Sequence, residues 1–508
     1  MKYLFISFIF LLFTIKLYSQ DEYKELLNDL SDDITEYENR NSKEKKFKFD
    51  GKMIGFTLSL LGDHIFEFRM PVIKDYMDFD GYIKSPKVRN DIGLEIYFKK
   101  LKLISHWKFD LILNQWVDWR KLIEIIPQEN YVSWSPWKFT FSIGFKNYYW
   151  GTADQINPTD NINLKDLRKP VDSSKISVFS VYTSFFPADF ISLEAIYIPF
   201  IMNINLTMNP EDIVEEEYEE ADVSIKDIQF KPEHFGLGGK VSFFFRYVDF
   251  SFSYLTKIDP YYSMEIELEK QKYYNVHYYT VESIELINKR LHFIGTDLKW
   301  SIGIFGLWLE VCYKITEDFF MDKYNIRNHQ LSWATGFDFN FGPDSAFYCN
   351  IQYFGSFVPF FYSNFYKDYD DGEPDINEDQ EYYDIYYYRI LTDNLGGVRE
   401  GLINGIAVHL KWPMLNSLLT PSLKVIYTLP SLYDTDREIR FGSLYLKTQL
   451  DIMPFETFNI LIGAELFFSW HILENEFDNY EEDLIGSNHK NSNVFLEVRY
   501  RWGIDVKR

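Results

Sequence analysis

The sequence predicts an all-β protein, a transmembrane antiparallel β-barrel of about 14–18 strands preceded by a short N-terminal helical or disordered segment. Three observations predict it. Apolar and polar residues alternate in many short stretches. Aromatics make up 19% of the chain, with 38 Tyr and 47 Phe. After the first twenty residues no apolar run approaches the length of a membrane helix. The last stretch shows the alternation most clearly: Val494, Leu496, Val498, Tyr500, Trp502 and Ile504 fall on one face of an extended strand, and Glu497, Arg499, Arg501 and Asp505 on the other. One face suits lipid and the other water, and lipid cannot satisfy an open sheet edge, so such a sheet must close.

The chain divides into three parts. Residues 1–20 read as a secretory signal peptide: Lys2, an apolar run from Tyr3 to Ile15, and a cut after Ser19 or Gln20. Residues 21–48 form a charged periplasmic lead in which Leu26, Leu27, Leu30, Ile34 and Tyr37 keep a helical spacing. Residues 49–508 form the barrel.

Candidate strands fall near 50–60, 64–70, 91–100, 102–113, 138–149, 175–186, 189–199, 235–246, 248–258, 291–301, 305–315, 330–341, 345–354, 402–412, 421–429, 440–452, 456–469 and 493–504. Short links alternate with long polar ones at 201–234, 259–290, 355–400 and 470–492, which is the periplasmic and external asymmetry of an outer-membrane barrel. Before residue 175 the alternation of links fails. The link 114–137 is long and rich in Trp (Trp116, Trp119, Trp134, Trp137), so either it hides a strand or it folds into the lumen.

Composition excludes several functions. The net charge of −24 argues against a nucleic-acid partner. Cys312 and Cys349 fall on opposite faces of their strands and are expected as free thiols. No metal-binding or catalytic spacing stands out among the nine His, so neither an enzyme nor a cofactor is expected.

Sorting strands by face places Lys240, Arg246, Lys299, Glu310, Lys314, Lys411, Glu465, Glu497, Arg499 and Arg501 among the pore-lining candidates. They read as charge rows of a water-filled pore, or as pairs that neutralise one another across the wall. The remaining acid clusters in loops, in Glu211–Asp222 and Asp368–Asp384, the second beside Tyr382, Tyr383 and Tyr386.

The most distinctive local segment is Phe141–Pro170, where a strand closes on Trp150-Gly151 and leads to Asn157-Pro158-Thr159-Asp160, a run of turn-forming residues. Through Gly144, Lys146, Trp150, Gly151, Asn157, Pro158, Asp160 and Pro170 it resembles a segment of porin-like outer-membrane β-barrels, in which a strand ending in W-G is followed by an N-P-x-D loop. The resemblance implies a loop folded in near the pore and brings no catalytic residue.

The expected function is passive passage of small polar or anionic solutes across the outer membrane of a diderm bacterium, with outer-membrane lipids, the barrel-assembly machinery and the solutes as partners. An alternative is a structural or adhesive barrel working through its acidic, Tyr-rich loops. A further alternative is uptake of hydrophobic solutes, if Phe179 and Phe244 point inward.

Overall fold

The computed structural model describes residues 47–49, 52–54, 56–72, 86–112, 123–166, 171, 174–200, 222–225, 234–273, 276–321, 326, 328–342, 347–359, 402–429, 440–471, 485 and 491–507. The expected signal peptide, most of the lead and the acidic clusters at 211–220 and 368–384 lie outside them.

Two small hairpins form sheets of their own: β1 (Phe47–Phe49) with β2 (Lys52–Ile54), and β8 (Leu164–Lys165) with β9 (Lys175–Ile176). Eighteen strands close the barrel. They are β3 (Phe56–Pro71), β4 (Lys87–Phe98), β5 (Leu101–Ile112), β6 (Ile123–Trp134), β7 (Phe139–Lys146), β10 (Val178–Ala188), β11 (Ile191–Ile198), β13 (Gly236–Phe244), β14 (Val248–Tyr273), β15 (Val276–Ile302), β16 (Phe305–Thr316), β17 (Gln330–Phe341), β18 (Phe347–Phe357), β19 (Leu402–Lys411), β20 (Leu419–Leu429), β21 (Arg440–Phe455), β22 (Phe458–His471) and β23 (Asn493–Lys507). Each barrel strand pairs antiparallel with its neighbours, and β23 closes on β3 from Asn493↔Pro71 to Lys507↔Thr57. The remaining strand, β12 (Asp222–Ile225), runs parallel to β15 beyond the wall.

Closure removes the sheet edge, so every strand can satisfy its backbone without water. The side chains then divide as the period of two demands. On β23, Val494, Leu496, Tyr500 and Ile504 are exposed on the outer face while Asn493 and Phe495 are buried. Aromatics gather where strands meet the short turns: Phe139 stacks on Phe185 with ring centroids 4.2 Å apart, Phe341 lies 4.5 Å from Phe347, and Phe347 lies 6.1 Å from Trp412. This rim takes up part of the aromatic excess.

The structure corrects the strand register before residue 175 in two places. The stretch expected at 64–70 and the part of the stretch expected at 50–60 from Phe56 onward are one strand, β3, while Lys52–Ile54 belongs to β2; Gly62-Asp63 looks like a turn, yet Gly62 only leaves room for the Trp502 indole on the neighbouring strand. The second correction is β6, which lies inside the Trp-rich link. Pro127 and a register shift opposite Ser105–Trp107 disturb its alternation and hid it. One strand lost and one gained leave eighteen, and the failure of alternating links disappears. The link expected at 259–290 is also largely strand: β14 and β15 continue as a long hairpin past the barrel.

Cys312 and Cys349 are both free and buried. The first packs inside against Ile162 and its neighbours, and the second stands in register with Phe339 and Leu410. Phe179 faces lipid rather than the lumen, because it alternates with the buried Val178 and Ser180 and meets Phe145 and Phe200 at 5.4 Å each.

Candidate functional site: a loop pinned inside the barrel

The link between β7 and β10 folds into the lumen. Its apolar residues have partners there: Tyr148, Trp150, Ile162 and Leu164 form one buried cluster with Val178, Ile196, Ile198, Leu255, Ile258, Leu291, Phe293 and Cys312. Further along, Ala153 and Ile156 pack against Trp308, Ala334, Phe354, Ala407, Ile426, Tyr445 and Phe467. Gly336, Ala334, Gly405 and Ala407 belong to this stretch of inner wall, and small residues leave space for a chain to lie against it.

Polar contacts fix the path. Asn163 ties both ends of the loop: its Oδ1 accepts from Tyr148 N–H at 2.7 Å, and its Nδ2 donates to Lys146 O at 3.2 Å and Ile176 O at 2.9 Å. Trp150 Nε1 donates to Glu194 Oε2 at 3.1 Å. The central anchor is Glu310 on β16, which is 0% exposed. Its carboxylate accepts from Thr152 N–H, from Ala153 N–H at 2.6 Å, from Thr159 N–H at 3.3 Å and from the Thr159 hydroxyl at 2.9 Å. A buried carboxylate surrounded by donors in this way is a nest built from the loop's own backbone.

Beyond it, Gln155 Nε2 donates to Asn350 Oδ1 at 3.0 Å, Ile156 N–H donates to Gln352 Oε1 at 3.2 Å, and Gln352 returns a bond to Ile156 O. The hydroxyl of Tyr348 bonds Asp154 at the exposed tip.

The motif residues have separate duties. Gly151 sits at φ +120°, where an L side chain is strained, and a Cβ there would overlap Asn157 and Thr159. Asn157 and Pro158 make the turn that presents Thr159 to Glu310: Asp160 N–H donates to Asn157 O at 3.4 Å, and Asn161 Nδ2 to Pro158 O at 2.6 Å. Asp160 pairs with Lys175, whose ammonium also covers the Tyr149 ring at 3.5 Å.

A basic chamber borders the loop. Lys257 Nζ donates to Ile162 O at 3.3 Å, and Lys257 and Lys314 lie 5.7 and 5.9 Å from the centroid of the same Phe293 ring. Lys165 borders the lumen from β8. Lys165 keeps an exposed surface, yet desolvation by the surrounding protein lowers its pKa; Asp160 acts against this, while Lys314, Lys175 and Lys424 push the same way. Lys314, Lys175 and Lys424 thus each lie within electrostatic reach of Lys165, and Lys314 also acts on Lys257, so lysines outnumber the two acids, Asp160 and Asp259, that act on the same groups.

The remaining pore candidates are dispersed. Lys240 is buried against Asp297 at 3.2 Å. Lys299 stands in register with Asp249 and Trp308. Arg246 lies past the end of β13, in the turn before β14, over the Tyr247 ring at 5.1 Å, and so is at the rim rather than on the wall. Lys411 is exposed at the short-turn end of β19. Glu465 binds Arg69 at 2.6 Å and Lys447 at 2.9 Å. Glu497 pairs with Arg499 at 2.8 Å, and Arg501 reaches Asp63 at 3.2 Å.

Sequence reasoning missed Thr159 as the hydroxyl on Glu310, and it missed Asn163, Asn350, Gln352, Lys165 and Lys175. Contacts such as Thr159–Glu310 and Ile156–Gln352 join residues 151 and 196 positions apart, and no local spacing encodes them. Among the described residues no group of His, Cys, Asp and Glu is arranged to hold a metal ion.

No family model matches the chain, and no curated protein matches it. Solved structures similar to it include OccK5 (OpdH) of Pseudomonas aeruginosa, at 10% identity over 89% of this chain and 98% of that chain, with a TM-score of 0.46. OpdK of the same organism, crystallised with vanillate, is 7% identical over 89% of this chain and 99% of its own, with a TM-score of 0.47. OccAB4 of Acinetobacter baumannii is 9% identical over 91% and 99%, with a TM-score of 0.47. Values this low mark a similarity only; the barrel is established by its own strand pairing.

Proposed function

We propose that the protein is a passive outer-membrane channel for small polar solutes, with a preference for anions set by the chamber beside the inserted loop. The observation that carries this reading is the loop itself: Glu310 pins it inside the barrel, and Lys165 rides on it into the electrostatic field of Lys314 and Lys424, with Lys257 beside Lys314 and with Lys175 held by Asp160. A rigid loop across the lumen narrows the path, and fixed positive charge in a narrow, low-dielectric passage concentrates anions and repels cations.

The wall elsewhere carries both signs, largely as pairs such as Glu465 with Arg69 and Lys447, which leaves the chamber to dominate selection. The mature chain then begins after a cleaved signal peptide and is inserted by the barrel-assembly machinery into the outer membrane of a diderm bacterium. Passage needs neither catalysis nor a cofactor.

Reconstitution into planar bilayers tests this reading. Discrete conductance steps with a reversal potential on the anion side are expected under a salt gradient. Folded, heat-modifiable protein that gives no steps, or steps that select cations, contradicts it.

A further inference from the structure

The lipid-facing side of β3–β4 carries a hydrogen-bonded relay of polar groups where neighbouring outer-face residues are apolar. His64 and Asn90 are register partners, and the outward positions on either side of them are Leu60, Ile92, Leu94 and Ile96 in one direction and Phe66, Phe68, Met70 and Val88 in the other. The relay therefore lies within the apolar band, where an unsatisfied polar group is costly because no water reaches it.

Its hydrogen bonds fix its direction. The indole of Trp502 donates to His64 Nε2 at 3.0 Å, so this nitrogen is the acceptor and Nδ1 carries the proton. His64 Nδ1 then donates to Asn90 Oδ1 at 2.6 Å. With its carbonyl turned to His64, Asn90 turns its NH2 group away. Among the described residues nothing accepts from Asn90 Nδ2, and Asn90 is only half buried. A relay of three side chains on the outer face thus ends in two N–H donors with no acceptor among the described residues.

We propose that this face is the contact between two copies of the chain, related by a twofold axis that passes beside Asn90. A carboxamide is self-complementary: Nδ2 of one copy donates to the second lone pair of the other copy's Oδ1, and symmetry supplies the reciprocal bond. A second copy is the occupant whose surface presents that same amide at the same depth by necessity. Trp107 and Ile92 are exposed on the same outer face next to the relay and supply apolar contact around the amide pair.

The test measures association of the full-length protein in lipid nanodiscs or bilayers by single-molecule photobleaching, with heat-modifiable migration as the check on folding. Wild type is expected to give two-step bleaching above a threshold density. Asn90→Leu, which keeps the volume and removes the amide, should weaken association about tenfold and leave the unitary conductance per barrel unchanged.

Independently, Asn90→Cys should give an oxidant-dependent covalent dimer. Leu298→Cys, exposed on β15 away from this face, should not exceed the wild-type background, in which Cys312 and Cys349 are buried. Single-step bleaching of wild type at every density overturns the proposal. So does an Asn90→Leu variant that associates as well as wild type, or cross-linking through position 90 no greater than through position 298.

Discussion

Glu310→Ala frees the inserted loop. The substitution leaves the N–H groups of Thr152, Ala153 and Thr159 and the Thr159 hydroxyl without the carboxylate they share. Hydrogen bonds to a charged acceptor contribute about 1.5–3 kcal/mol each, and they are not additive at one carboxylate. A loss on the order of 3 kcal/mol from the docked loop is expected. The barrel itself remains closed, because none of its strand pairings runs through this side chain.

The readout is electrical. Unitary conductance should rise and the open state should become noisy as the loop samples positions away from β16, while heat-modifiable folding persists. Glu310→Gln should fall between: it keeps an acceptor oxygen but sets an NH2 against backbone donors. Conductance and noise equal to wild type in Glu310→Ala would show that other contacts hold the loop.

Arg69→Leu strikes the closing seam of the barrel instead. Arg69 donates to Glu67 at 2.5 Å, to Glu465 at 2.6 Å and to Asn493 Oδ1 at 3.1 Å, and its guanidinium lies 5.3 Å from the Phe495 centroid. One cation thereby links β3, β22 and β23. Removing Arg69 takes one cation from a buried ionic group in which Glu465 keeps Lys447 at 2.9 Å, so a cost of about 3 kcal/mol is expected, the lower end for a broken buried pair. The expected result is a marked fall in the urea concentration at which the folded barrel unfolds. Arg69→Lys should recover only part of it, since a point-like ammonium cannot reproduce the forked contact. An unfolding midpoint unchanged in Arg69→Leu would remove this residue from the seam.

The barrel was legible in the sequence because lipid imposes a strict rule on every strand. Val494–Ile504 keeps its outward apolar positions in step, and the strands of the second half follow closely enough to be placed, although the link expected at 259–290 is largely strand. Legibility failed where a local feature interrupts the period. Pro127 and the shifted register in β5–β6 concealed a strand, and Gly62-Asp63 imitated a turn that the Trp502 contact explains. The inserted loop was visible as a motif, Trp150-Gly151 to Asp160, but its purpose was not.

Trp150 and Gly151 carry local information about a tight backbone, whereas the carboxylate that receives the loop lies on β16 and is separated from Thr159 by 151 positions. Glu310 read as one lumen charge among several for the same reason: alternation assigns a face and cannot distinguish a wetted charge from one buried under a loop. Lys240 illustrates the same limit, being closed against Asp297. The relay from Trp502 through His64 to Asn90 was equally hidden, because its three residues look like isolated polar or aromatic positions on separate strands.

The central claim is that lysines brought together by the inserted loop select the permeating ion. The most direct test is the reversal potential of the Lys165→Glu, Lys314→Glu double variant beside wild type, measured in planar bilayers under the same salt gradient. Wild type is expected to prefer anions and the variant to lose this preference or reverse it, with the anion-to-cation permeability ratio falling by roughly tenfold. A variant that folds, conducts and keeps the wild-type reversal potential would contradict it.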